Sequence, residues 1–591
     1  MKKQMLYRVF ISTVLVFALI SSLLPTTGQA MADASVQVSV ILQGKGVDQV
    51  AQIVESLGGT VTSRLDIING VGALIPSQDI NTLESRPDVR LTLNNTVYEM
   101  SSENSDGWKD AASSAAALSG SGPAPATNYS QVVGANLAWQ QGDLGQGVTV
   151  AVVDTGLTLF PSLINDATGS SERIVGWKDF IDHSPVPVDP NGHGTHIAGI
   201  IANSQMDSDH QFAGIAPNVQ LVSVRVLDKN GQGTYEDVIQ GVDWVVKHKD
   251  QYHIRVMNLS LQAAAQSPYW ADPLDEAITQ AWADGITVVV AAGNSGPAPL
   301  SIGVPGNNPY VITTGAFTDN YTPTNWSDDY IAPFSSAGPT LDGFTKPDIV
   351  APGAHMVSLM LPTSYLASNQ RALPVTQTYY SMAGTSQAAA VVSGIAALVI
   401  AQHPDITPDQ VKYRLMVTAI PWVDTATQQA GYSVWQQGAG RVNAPDAVFS
   451  NATGSANTGL NIEADLAGQT HYEGYSYYDT ATGQYRLRPP YNTLNDGYGV
   501  WSGGYGVWSG GYGVWSGGYG VWSGGYGVWS GGYGVWSGGY GVWSGGYGVW
   551  SGGTIWPDNV FTSPTSKANF MAGKSPDPQN TSTSLQWVSE P

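Results

Sequence analysis

The chain has no cysteine among its 591 residues, which excludes a disulfide frame, a thiolate metal centre, a cysteine nucleophile and a cysteine-linked lipid anchor. Cations are scarce as well. Lys and Arg number 24 against 46 Asp and Glu, a formal net charge of −22, which argues against nucleic acid and anionic membranes as partners. The N-terminal apolar run, Val9 to Leu24, is too short for a membrane anchor and is broken by Ser12 and Thr13. Lys2, Lys3 and Arg8 precede it, and the small residues of Ala30-Met31-Ala32 follow. The expectation is a cleaved secretory signal over residues 1–32, an extracellular location and no membrane anchor after cleavage. At this length one ordinary domain is also excluded.

What is present is concentrated in four short stretches. Met382-Ala383-Gly384-Thr385-Ser386-Gln387-Ala388-Ala389-Ala390 delivers a serine to the start of an alanine-rich helix. An unassisted serine hydroxyl is a weak nucleophile; it needs a base, a carboxylate that orients the base, and donors for the oxyanion that forms. Val148 to Val153 reads as a buried parallel strand ending at Asp154, Thr155 and Gly156, where an open α/β sheet places its ligand crevice. Asn191-Gly192-His193-Gly194-Thr195-His196 offers a glycine-flanked histidine before an apolar helix. Thr287 to Ala292 is a second strand, ending in Gly293-Asn294, whose amide can point at developing negative charge. Taken singly, these could be a turn, a satisfied core histidine and a helix cap.

Together and in this order they resemble the subtilisin-like serine proteases, through that family's D-T-G, H-G-T-H, A-A-G-N and G-T-S motifs. The resemblance implies that Ser386 attacks the scissile carbonyl, that His193 moves the proton, that Asp154 fixes the tautomer of His193, and that Asn294 with the Ser386 N–H holds the oxyanion. It also places Ser260, Leu261, Gln262, Gly293 and Gly303 along the substrate, with Asn258-Leu259-Ser260-Leu261 as a wall and Gly303-Val304-Pro305-Gly306 as a floor of the pocket for the residue before the scissile bond. Three positions depart from the pattern. Gln387 stands for the usual methionine, Ala390 for proline, and Gln262 for a glycine in that pocket wall.

The implied fold is α/β, a three-layer arrangement with a mainly parallel sheet, because strands alternate with helices across residues 128–450. Gly214-Ile215-Ala216-Pro217, Phe334 to Pro339, Lys346 to Gly353 and Gly438 to Asn443 are further family-like segments. Residues 33–100 precede it with a β-α-β-β-α-β pattern, a small α+β ferredoxin-like unit whose place in the chain resembles the family's inhibitory propeptide. Residues 101–127 are a Ser/Ala/Gly/Pro linker.

Residues 451–496 form a tyrosine-rich accessory segment. From 497 to 552 the unit Gly-Tyr-Gly-Val-Trp-Ser-Gly repeats eight times, and 553–591 close the chain. The unit has neither a coiled-coil nor a collagen pattern, and with no acid in it the tract is no calcium β-roll. It is either an aromatic platform for carbohydrate, cell envelope or itself, or a low-complexity tract without fixed structure.

The chemistry requires no cofactor. Relatives often carry structural calcium, but the loop Asn203 to Phe212, with Asp207 and Asp209, lacks the family's calcium-loop pattern, so the metal sites are unassigned. The expected partners are protein or peptide substrates and the chain's own propeptide. The rival expectation is an exported surface-binding or structural protein that carries the repeats on an impaired protease fold.

Overall fold

Residue alternation in the N-terminal unit sets its two layers. The computed structural model describes residues 36–99, 124–169, 172–424, 429–430, 432–480 and 484–488, with the dipeptides 540–541 and 548–549. The expected signal segment, all but the last residues of the linker, nearly all of the repeats and the C-terminal tail lie outside the described residues. Strands β1 (Gln37–Gln43), β2 (Thr60–Leu65), β3 (Gly70–Pro76) and β4 (Arg90–Leu93) form an antiparallel sheet ordered β2-β3-β1-β4. The amphipathic helix Val47–Ser56 closes its core: Val50 and Val54 pack with Val40, Leu42, Val71 and Ile75.

The chain then runs into β5 (Thr96–Glu99) and the main body. Strands β6 (Thr149–Asp154), β7 (Ile174–Asp179), β8 (Gln220–Arg225), β9 (Gln232–Thr234), β10 (Ile254–Leu259), β11 (Leu261–Gln262), β12 (Thr287–Ala291), β13 (Ile312–Thr318), β14 (Tyr330–Ile331) and β15 (Ile349–Pro352) follow. The central sheet runs β14-β13-β12-β10-β6-β8-β7, with β15 beside β13, and every pairing in it is parallel except β13 with β14. β6 and β12 are buried along their whole length, as the near-continuous Val/Ala runs require of a sheet covered on both faces.

Helix Thr385–Gln402 packs on β10, β12, β13 and β15 and against helix His193–Ala202, while Tyr235–Tyr252 and Pro273–Ala283 form the other helix layer. Thr385–Gln402 is apolar enough to cross a membrane by composition, but its flanks are enclosed by the core. The N-terminal unit docks on that other layer. Lys247 pairs with Asp66 at 2.8 Å, Arg90 with Glu276, and the Asn94 amide exchanges hydrogen bonds with Glu236.

The tyrosine-rich segment, as far as residue 488, packs into the same body. Asp465 accepts hydrogen bonds from the hydroxyls of Tyr269 (2.5 Å) and Tyr310 (2.7 Å), the Trp435 indole donates to Ser476 at 2.9 Å, and Leu487 is buried in the main core.

Candidate active site

Parallel β-sheet sterics bring the sequence-predicted carboxylate and histidine together. Asp154 is the last residue of β6, and His193 opens its helix after Gly192. His193 Nδ1 lies 2.8 Å from Asp154 Oδ1 and 3.0 Å from Oδ2, with both side chains fully buried. This contact demands a close approach of two backbones: a Cβ on Gly194 would sit 2.3 Å from the Gly156 carbonyl oxygen. Burial works against charge on His193, but the Asp154 carboxylate, with Glu99 and Asp189 further off, outweighs it and raises the imidazole to about 9. His196, one turn on, is the opposite case. Burial lowers it to about 3, and its Nε2 is spent on the Tyr380 carbonyl at 3.1 Å.

Ser386 is buried at the first turn of its helix, and its hydroxyl donates to the Ser260 carbonyl at 3.1 Å. The hydrogen bond to His193 is not made in this state, and His193 Nε2 has no hydrogen-bond partner. What faces that nitrogen is Glu99, whose Oε2 is 3.8 Å away and whose side chain is 5% exposed.

Ser260 is held in turn by a polar chain. Ser393 Oγ donates to Asn258 Oδ1, Asn258 Nδ2 to Ser260 Oγ, and Ser260 Oγ to the Ser386 carbonyl, at 2.9, 2.9 and 3.0 Å. Asn294 Oδ1 accepts from both the N–H and the hydroxyl of Thr385, each at 2.9 Å. Gln387, the departure beside the serine, is fully buried with neither end of its amide hydrogen-bonded.

β5 lies between β9 and β11 as the middle of a three-stranded antiparallel sheet. Val97 is opposite Gly233 and fully buried, Tyr98 is half exposed, and Glu99 is opposite Leu261, with its N–H donating to the Gly231 carbonyl at 2.8 Å. The predicted residues Leu261 and Gln262 thus meet a peptide strand, opposite Glu99 and Tyr98.

One functional residue escaped the sequence reading. Asp189, 6% exposed, accepts from Thr155 Oγ1 and Gly192 N at 2.8 Å, from Thr195 N at 2.8 Å and from Thr195 Oγ1 at 2.6 Å. It ties the turn after Asp154 to the helix start that carries His193. An aspartate four residues before the histidine was a weak signal that only the fold could explain.

Among the described residues no group of three or more His, Asp or Glu side chains is arranged to hold a metal. Asp207 instead closes its own turn by accepting from the N–H groups of Asp209 and Gln211.

An Asp–His pair at strand and helix ends, beside a serine at the N-terminus of a buried helix on a mainly parallel sheet, defines the subtilisin-like α/β class. A family model described as the Subtilase family matches residues 145–457, and the chain belongs to that family of serine proteases. It is 43% identical over 309 residues to serine protease AprX of Bacillus subtilis, which covers 51% of this chain and 66% of AprX. With subtilisin DY of Bacillus licheniformis it shares 34% over 281 residues, 47% of this chain and 86% of that protein. The crystal structure of fervidolysin from Fervidobacterium pennivorans, described as a keratinolytic enzyme related to subtilisin, aligns at a TM-score of 0.52 and 22% identity. The alignment covers 73% of this chain and 63% of fervidolysin, a likeness of fold.

Proposed function

We propose that this protein is a secreted serine endopeptidase, made as a precursor that processes itself. The observation that carries the reading is the seating of Thr96–Glu99 as an extended strand between β9 and β11, with Glu99 against the Asp154–His193 pair. A peptide held in this way presents its backbone to a nucleophile, because main-chain hydrogen bonds on both edges fix its register.

In the reaction, Ser386 Oγ turns from the Ser260 carbonyl to His193 Nε2, gives up its proton there and attacks the scissile carbonyl carbon. Asp154 keeps the Nδ1–H of His193 oriented and stabilises the imidazolium. The oxyanion is met by the NH2 of Asn294 and the N–H of Ser386. His193 then protonates the leaving amine, and water, deprotonated by the same imidazole, hydrolyses the acyl-enzyme.

The N-terminal unit is the intramolecular inhibitor in this scheme, and the processing cut falls within a residue or two of Glu99. While β5 is in place it blocks the cleft, and its Glu99 carboxylate favours the protonated form of His193, which cannot act as a base. Intact mass and N-terminal sequencing of the exported protein beside Ser386→Ala test this. Loss of the N-terminal unit in the wild type and its retention in the variant are expected; identical processing of the two refutes self-cleavage.

A further inference from the structure

A peptide bound like β5 brings the residue after Glu99 opposite Ser260, whose carbonyl receives the Ser386 hydroxyl. The side chain of that residue has a slot to enter. One edge of the slot is β11; the others are Gly293, next to Asn294, and the turn at Gly303, which is tied to the continuation of β11 by two Ala263–Val304 backbone hydrogen bonds of 2.9 Å.

In this chain the slot already has an occupant. A Cβ built on Gly293 would lie 2.3 Å from Gln262 Oε1, and one built on Gly303 would lie 2.0 Å from Gln262 Nε2. The Gln262 side chain therefore runs from β11 across to both glycines, through the space that their missing side chains leave. Gly293 is doubly constrained, since its φ of 111° is itself unfavourable for other residues.

Resting on the endopeptidase reading, we propose that Gln262 is a specificity-determining residue. By filling the slot between Gly293 and Gly303 it restricts the residue before the scissile bond to short or unbranched side chains and excludes aromatic rings. An unbranched side chain can lie alongside the glutamine stem in the remaining width, whereas a planar ring needs the volume that the amide holds. A misfit of one or two methylenes in such a pocket changes kcat/KM by roughly 10–200-fold, which sets the scale of the discrimination.

The test uses the full chain, matured by itself, with chromogenic peptides Val-Tyr-Glu-X in which X is Ala, Met or Phe. Active sites are first counted with a small fluorophosphonate that has no side chain to place in the slot. Wild type is expected to favour Ala and Met over Phe, and Gln262→Gly to raise the Phe-to-Ala ratio of kcat/KM by about tenfold or more. Preference for Phe in the wild type overturns the proposal, whether or not the variant folds, and so does any smaller shift in a Gln262→Gly protein that labels. Gln262→Ala, which keeps a Cβ in the strand, is read in the same way if the glycine variant fails to fold. Absence of fluorophosphonate labelling in the wild type refutes the endopeptidase reading itself, and the inference falls with it.

Discussion

Replacing Asp189 by Asn isolates the contribution of a residue that never touches substrate. The Oδ1 side is expected to survive, since an amide oxygen still accepts from Thr155 Oγ1 and Gly192 N. The Oδ2 side inverts for one partner: an NH2 group now faces Thr195 N, which donates at 2.8 Å in the native protein and can only donate, while Thr195 Oγ1, a donor at 2.6 Å, can turn to accept. A hydrogen bond to a buried charge is worth about 1.5–3 kcal/mol, and the loss of the one from Thr195 N sets the cost at about that size before relaxation.

In a domain of this size that corresponds to a melting point lower by roughly 3–10 °C. The helix start carrying His193 is what must shift to relieve the donor–donor contact. A displacement of about 1 Å there costs on the order of a hundredfold in rate. Removing the Asp189 charge also takes away one of the groups that raise His193, so the acidic limb of the pH profile moves to lower pH. Differential scanning fluorimetry, fluorophosphonate acylation rates and the pH dependence of acylation read the three effects. A variant that melts within 2 °C of wild type, roughly the effect of 1 kcal/mol, and acylates at the wild-type rate would refute the assignment of Asp189 as the brace of the site.

Asn294→Ala is expected to lower kcat by about 100- to 1000-fold with little change in KM, measured on short peptides with titrated active sites. Glu99→Gln in the full chain removes a charge that favours protonated His193; under the proposed mechanism, in which the neutral imidazole is the base, self-cleavage followed by intact mass at pH 7 is expected to run faster than in wild type. Asp348 is buried between Lys346 (2.6 Å) and Lys412 (3.3 Å), so Asp348→Asn takes the nearest counter-charge from two buried lysines, leaving only Asp275 and Asp409 further off, and costs about 3–5 kcal/mol in chemical denaturation. A chain ended at Ser450 loses the Asp465 and Leu487 contacts and is expected to fail to fold, whereas one ended after Arg488 keeps its turnover on small peptides, with circular dichroism and peptide assays reading both.

The local signals of this chain lie in short-range chemistry. Alternating Val38, Val40 and Leu42, the helical spacing of Val47, Val50 and Val54, and the apolar run Thr149 to Val153 each state their own secondary structure, because side-chain period and burial are properties of neighbouring residues. The strand ends and helix starts that carry Asp154, His193, Asn294 and Ser386 were also legible, since glycine-bearing turns mark them. The end of the main body was not. The tyrosine-rich segment after residue 450 has no period of its own, and its attachment depends on Asp465 meeting Tyr269 and Tyr310, partners more than 150 positions away.

The same holds for the finer features of the site. Asp189 is unremarkable until the fold sets four donors around two oxygens, Glu99 until β5 is laid between β9 and β11, and Gln262 until two glycines from separate turns leave room for its side chain. Sequence alone determined which residues could perform the chemistry and which elements carry them, because those depend on composition and local spacing. The tertiary structure alone decided what Asp189, Glu99 and Gln262 touch, because those contacts join segments far apart in the chain.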